Sequence, residues 1–259
     1  MGERTSHSHG TFSWTDLATP DLDAAETFYR GLFGWEHDDQ PIPEEAGGGV
    51  YRMFLQNGRQ VAAAGAMQEG QHPAWLSYVS VDDIDATATR AGELGATVMM
   101  EPFDVMTAGR MALLQDPTGA VFALWQAKDN IGAELVNGPG ALTLNQLNTS
   151  DPEKAEKFYA DLFGWRTEVV EQGDQPYWGV YNGDTMNAGI MNLPEGGPEM
   201  PSHWLVYFGI HDIDAAAERI GSSEGTVVLP KMPVPGGHIL VASDPQGAMF
   251  ALWDGQFDD

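Results

Sequence analysis

Polar and apolar positions change period several times along the chain, and each change marks an element. FSWTDLA (12–18) reads as a short strand. Pro20 and Asp21 then supply a helix start signal. Leu22, Ala25, Phe28, Tyr29 and Leu32 follow as an apolar stripe at helical spacing, ended by Gly34. Two short β-like runs come next, VYRMFL (50–55) and QVAAAGAM (60–67). The pattern restarts with a strand, WLSYVSV (75–81), and a helix, DDIDATATRAGELG (82–95), with Gly95 just past its end. TVMM (97–100), RMALLQ (110–115) and AVFALW (120–125) are three further strands. Two β-α-β-β-β modules in succession account for this half of the chain.

The second half repeats the first. TPDLDAAETFYRGLFGW (19–35) matches TSDPEKAEKFYADLFGW (149–165) at an offset of 130. VDDIDATATR (81–90) matches IHDIDAAAER (210–219) at 129, and DPTGAVFALW (116–125) matches DPQGAMFALW (244–253) at 128. Three landmarks in one order at near-constant spacing mean duplication. The expected division is a disordered tail at 1–10, a first domain at 11–127, a Gly/Pro-marked linker at 128–140 and a second domain at 141–257. The fold class is α+β, with four βαβββ modules.

Composition narrows the function. With 42% hydrophobic residues and 26 aromatics among 259, the chain can build packed cores. It has no cysteine, which removes disulfides, zinc–thiolate sites and cysteine nucleophiles. Lys and Arg total 12 against 38 Asp and Glu, a formal net charge of −26. Such a field repels phosphate backbones and anionic bilayers, so neither nucleic acid nor membrane is an expected partner. No apolar run approaches the roughly 20 residues needed to span a bilayer. The polar start MGERTSHSHG lacks a signal-peptide core, and a cytoplasmic location is expected.

The helix signature D-x-x-x-A-x-x-F-Y-x-x-L-F-G-W with the D-P-x-G-A-x-F-A-L-W ending resembles the vicinal oxygen chelate superfamily, which includes glyoxalase I, extradiol dioxygenases and bleomycin-resistance proteins. The resemblance spans nearly all of residues 11–255 and is strongest to two-domain actinobacterial members. It implies two cup-shaped mixed sheets, with ligands held inside the cups. It also implies metal-ligand positions on the first, fourth, fifth and eighth strands of each copy. Here those positions carry Trp14 and Leu144, Leu76 and Leu205, and Ala123 and Ala251, while the fourth strands VAAAGAM (61–67) and MNAGIM (186–191) hold no Glu. Trp, Leu and Ala supply no metal donors, so no metal and no other cofactor is expected. Of the seven histidines, none pairs with another at metal-ligand spacing inside the fold.

Period-two alternation from those positions names the cup lining. Copy one contributes Trp14, Asp16, Leu76, Tyr78, Ala123 and Trp125; copy two contributes Leu144, Gln146, Asn148, Leu205, Tyr207, Ala251 and Trp253. An aromatic cup with a few polar groups suits a small molecule, or collapses into a core. Trp125 and Trp253 occupy equivalent places and read as core, whereas Trp14, replaced by Leu144 in copy two, reads as site-specific.

Candidate catalytic residues are Asp16, whose pKa desolvation would raise, and His238, which matches Arg110 in the repeat just before the seventh strand. Asp16 alternatively caps a backbone amide or pairs with Arg110. Candidate ligand-binding residues are Trp14, Tyr78, Glu101, Arg110, Gln146, Asn148 and Tyr207. PIPEEAGGG (41–49) reads as a flap over the cup. The expected function is metal-free binding of a hydrophobic, aromatic small molecule, neutral or cationic, of antibiotic or polyketide type, by a monomer or homodimer. The alternative is a metal-independent isomerase, cyclase or lyase using Asp or His acid–base chemistry.

Overall fold

The computed structural model describes residues 2–172, 175–193 and 200–257. In copy one, β1 (Phe12–Thr19) leads into α1 (Leu22–Phe33), then β2 (Glu36–Pro41), β3 (Val50–Gln56) and β4 (Arg59–Ala66). β5 (Ala74–Ser80), α2 (Ile84–Glu93), β6 (Thr97–Val105), β7 (Gly109–Gln115) and β8 (Val121–Ala127) complete it. Copy two repeats the order with β9 (Leu142–Thr149), α3 (Pro152–Phe163), β10 (Arg166–Gln172), β11 (Gln175–Asn182) and β12 (Thr185–Asn192). It ends with β13 (His203–Gly209), α4 (Ile213–Ser222), β14 (Thr226–Val234), β15 (Gly237–Ser243) and β16 (Met249–Trp253). The sequence signals act where expected. The Asp21 carboxylate accepts from the Asp23 and Ala24 amides at the start of α1, and Gly34 ends it in the left-handed conformation at φ 76°.

Each copy contributes eight strands to its own sheet, and that of copy two also takes in the short strands Gly2–Glu3 and Leu135–Val136, ten in all. Copy one runs β2-β3-β4-β1-β5-β8-β7-β6 and copy two β10-β11-β12-β9-β13-β16-β15-β14. In both, the first strands of the two modules pair antiparallel at the centre, β1 with β5 and β9 with β13. One strand is invisible in the hydrophobic pattern: β2, EHDDQP, is exposed along its whole length. A charged edge strand needs no apolar face and resists pairing with other chains.

The sheets pack back to back with the helices between them, and modules associate crosswise. One core joins Phe28, Tyr29 and Leu32 of α1 to Ile213, Ala216 and Ile220 of α4. The other joins Ile84, Ala88 and Ala91 of α2 to Phe158, Tyr159 and Phe163 of α3. Matched polar clamps cross the interface. Tyr29 Oη donates to Asp244 Oδ2 at 3.1 Å and accepts from Trp75 Nε1 at 3.0 Å. Tyr159 Oη donates to Asp116 Oδ2 at 2.8 Å and accepts from Trp204 Nε1 at 3.0 Å. The two tryptophans of the F-G-W motif reach the segments that precede each copy, Trp35 Nε1 to the Gly140 carbonyl of the linker and Trp165 Nε1 to the Gly10 carbonyl of the N-terminal segment, both at 2.8 Å. The D-P-x-G and F-G-W parts of the repeat motifs thus hold the copies together.

The N-terminal segment corrects the expectation of a frayed tail; Met1 itself lies outside the described residues. Gly2 and Glu3 pair with Leu135 and Val136 of the linker. His7 Nε2 lies 2.8 Å from the Ala133 carbonyl, and the Gly10 amide donates to the Ser80 carbonyl at 2.8 Å. Backbone pairing and a buried Gly10 against Trp165 replace the disorder that polar composition alone predicts. No helix among the described residues is long and apolar enough to cross a membrane.

Candidate functional site

The two cups differ in what fills them. In copy one, Trp14, Met53, Tyr78 and Trp125 are buried against one another and against Ala133 and Val136 of the linker. Trp125 is pinned by donation from Nε1 to the Asn130 carbonyl at 3.0 Å. At the bottom, Asp16 Oδ2 accepts from Tyr78 Oη at 2.8 Å and from Tyr51 Oη at 2.9 Å, and Tyr51 Oη accepts from Trp14 Nε1 at 3.1 Å. Burial pushes the Asp16 carboxyl up to about 6, against the opposing pull of the two tyrosine hydroxyls. Asp16 therefore sits where the strand alternation puts it, bound to tyrosines and not to Arg110.

In copy two, Leu144 stands where copy one has Trp14, and the cup holds a cavity of about 370 Å³. Its lining includes Leu144, Gln146, Tyr177, Tyr181, Tyr207, Ile239 and Trp253. The carboxylate of Asp16 is replaced by the neutral Gln146. Tyr207 Oη donates to Gln146 Oε1 at 2.8 Å, and Gln146 Nε2 donates to Asn148 Oδ1 at 2.8 Å. Asn148 Nδ2 meets His203 Nε2 at 3.3 Å, and His203 Nδ1 lies 2.9 Å from the Pro201 carbonyl. A carbonyl can only accept, so Nδ1 carries the hydrogen and Nε2 accepts from Asn148. The chain runs in one direction from Tyr207 to Pro201 without a net charge. Burial holds the Tyr207 and Tyr177 hydroxyls protonated, well above the usual phenol range.

Gly189 makes room for Tyr177. A Cβ built on Gly189 would lie 1.8 Å from Tyr177 Oη, so only glycine lets that ring cross the strand.

The remaining expected site residues lie elsewhere. His238 is not in the cavity lining; its Nδ1 faces Asp254 Oδ1 at 3.1 Å, because the neighbouring Ile239 takes the cup-facing side of β15. Arg110 pairs with Asp85 and reaches Asp104 at 3.8 Å, held by carboxylates on the rim of copy one. Glu101 is exposed on the edge strand β6. Trp14 is buried in the cup of copy one, whereas Trp253, read as core, lines the cavity of copy two. The GGG stretch closes a short turn, with Gly47 and Gly48 amides bonded to Glu44 and Pro43, and does not line the cavity. Tyr177, Tyr181, Gly189 and His203 were missed. β11 and β12 carry no signal fixing which of their residues face inward, and only Gly189, isolated in a strand, marked a close approach.

The side chains present do not fit a divalent ion. Cup-facing Trp14, Leu76 and Ala123, like Leu144, Leu205 and Ala251, offer no donor atoms. Among the described residues no group of three His, Cys, Asp or Glu side chains converges.

The Glyoxalase/Bleomycin resistance protein/Dioxygenase superfamily matches residues 11–124 and again 141–252. The chain is 42% identical over 258 residues to CFP32 of Mycobacterium tuberculosis (strain CDC 1551 / Oshkosh), a glyoxylase in name, with 97% of each chain covered. It is 34% identical over 265 residues to the anthracycline biosynthesis protein DauV of Streptomyces sp. (strain C5), covering 96% of this chain and 94% of that one. The solved Mn(II)-bound glyoxalase from Novosphingobium aromaticivorans superposes with a TM-score of 0.66 at 17% identity, over 97% of this chain and 84% of the other. The 2,3-dioxygenase LapB from Pseudomonas sp. KL28 gives 0.66 at 14%, over 98% and 96%. At those identities the likeness to both structures is one of fold.

Proposed function

This chain belongs to the glyoxalase/bleomycin resistance protein/dioxygenase superfamily, and on that footing we propose that its second cup binds a flat, largely apolar small molecule without the help of a metal ion. The observation that carries this reading is the uncharged, aromatic cavity of copy two. Three tyrosines and Trp253 offer ring faces for stacking, and Gln146 and Tyr207 offer a fixed pair of polar atoms for orientation. Likeness to DauV, named for anthracycline biosynthesis, points to an aromatic polyketide as the ligand class. A cation is a poor fit to the deep cavity, because no acidic side chain among the described residues lines it.

The test is a tryptophan-fluorescence titration of metal-stripped protein with planar aromatic polyketides. Saturable quenching is expected, and Trp253→Phe should remove most of its amplitude. Gly189→Val should weaken binding at least about tenfold by displacing the Tyr177 ring. Gly65→Ala in copy one, whose new methyl would meet Tyr51 at an ordinary 3.5 Å, should leave affinity unchanged. Flat titrations, or quenching that survives both Trp253→Phe and Gly189→Val, would overturn the second cup as the site.

A second reading, a metal-independent isomerase, cyclase or lyase, draws on Asp16 alone, whose raised pKa suits a general base near neutral pH. It requires copy one's cup to admit a substrate. Recovery of a chemically altered ligand, abolished by Asp16→Asn, would favour it.

A further inference from the structure

A second space lies against the cavity of copy two. Leu144, Thr143, Asn137, Thr185 and Met186 also line this space of about 500 Å³, which opens between the copies beneath the N-terminal segment. The two spaces therefore share a wall and form adjoining compartments of opposite character.

The outer compartment is polar and has one sign of charge. It is lined by Arg4, His7 and His9, with hydroxyls and amides from Ser6, Ser8, Asn145 and Asn182 among its other walls. Asp and Glu make up 38 of the 259 residues, yet no described acidic side chain lines either compartment. The donors differ in what they can offer. His7 Nε2 is spent on the Ala133 carbonyl, and burial lowers the His7 pKa, so that ring is a neutral wall. His9 Nδ1 accepts from the Asp82 amide at 3.2 Å, which places its hydrogen on Nε2, where it can serve a ligand. The Arg4 guanidinium donates one hydrogen bond to the Glu3 carbonyl at 3.1 Å and has further N–H groups to offer.

We propose that the ligand is an aromatic acid, with its flat apolar body in the cup and a carboxylate or comparably acidic group in the outer compartment against Arg4 and His9. This rests on the second cup being the binding site. The net charge of −26 does not decide against it. At physiological salt the screening length is about 8 Å, so the nearest charges outweigh the distant acidic surface. Charge-assisted bonds from Arg are also the strong kind for an oxyanion.

The probes are anthraquinone-2-carboxylate and 2-methylanthraquinone, which share a ring system and differ in the acidic group. Both are titrated against the full chain at about 50 mM and about 500 mM NaCl. The carboxylate should bind about tenfold more tightly at the lower salt, and the advantage should shrink at the higher. Arg4→Ala should remove most of that advantage and His9→Ala part of it, with 2-methylanthraquinone affinity unchanged. If the methyl compound binds and the carboxylate is no tighter, or if Arg4→Ala weakens both alike, the acidic subsite is wrong and the cup remains. If neither probe binds, the cup and the subsite fall together.

Discussion

Asp116→Ala should lower the unfolding free energy by about 4 kcal/mol, among the largest single effects this chain can show. The Asp116 side chain is 3% exposed and accepts four hydrogen bonds. Its Oδ1 takes the Thr118 amide at 2.7 Å, the Thr118 hydroxyl at 2.7 Å and the Ala120 amide at 3.1 Å, which shapes the D-P-T-G turn. Its Oδ2 takes the Tyr159 hydroxyl from the other copy. Alanine leaves a buried amide and a buried phenol without acceptors. Tyr159→Phe leaves the turn bonds intact but removes the cross-copy bond and the acceptor of Trp204 Nε1, and should cost about 2 kcal/mol. Denaturant titration checks both. Asp244 binds its own turn and Tyr29 in the same way, so Asp244→Ala should behave alike. The two cores each contain residues of both copies, so unfolding should remain a single transition. A stability loss under about 1 kcal/mol for Asp116→Ala would show that the clamp is not what joins the copies.

Asp16→Asn should act in the opposite direction and only above a threshold pH. Burial beneath Tyr51 and Tyr78 pushes the Asp16 carboxyl up to about 6 in the folded chain against 3.8 ordinarily, because desolvation disfavours its ionised form. Between roughly pH 4 and 6 the native state therefore binds the proton more readily than the unfolded state does. Stability linked to Asp16 is full below about pH 4 and is lost as pH rises through about 6, a difference of about 2 to 3 kcal/mol by pH 8. Asparagine keeps an oxygen for the tyrosine hydroxyls and carries no charge. The variant should be more stable than the parent by about 2 kcal/mol at pH 8 and about equal to it near pH 4. Unfolding curves across that range measure the difference. A pH-independent offset, or a variant less stable at pH 8, would falsify the burial account of this carboxylate.

The contrast between Asp16 and Gln146 also shows why the cups were not separable from the sequence. Alternation along β1, β5, β9 and β13 puts Trp14, Asp16 and Tyr78 on one face of copy one's sheet and Gln146, Asn148 and Tyr207 on the matching face of copy two, with Gln146 and Tyr207 lining the cavity. It cannot say whether facing side chains meet. Trp14 and Trp125 close on Tyr78 and Met53 because Ala133 and Val136 of the linker pack across them. Leu144 is smaller, and Trp253 keeps a free face. Arg110 and His238 lie one residue away from inward-facing neighbours, and charged partners on the rim, Asp85 and Asp254, claim them.

The sequence by itself determined the duplication, the α+β modules, the helix boundaries and the loss of metal donors. Each of these is written locally, in a repeat offset, an apolar period, a capping aspartate or the chemistry of one residue type. Tertiary structure alone decided that copy two's cup holds a cavity, that the D-P-x-G and F-G-W motifs hold the copies together, and that the polar N-terminal segment is ordered against the linker and copy two. Those outcomes depend on contacts between residues more than 100 positions apart, such as Tyr29 with Asp244 and Trp165 with Gly10. No local pattern encodes such a distance; the packing of one copy against the other sets it.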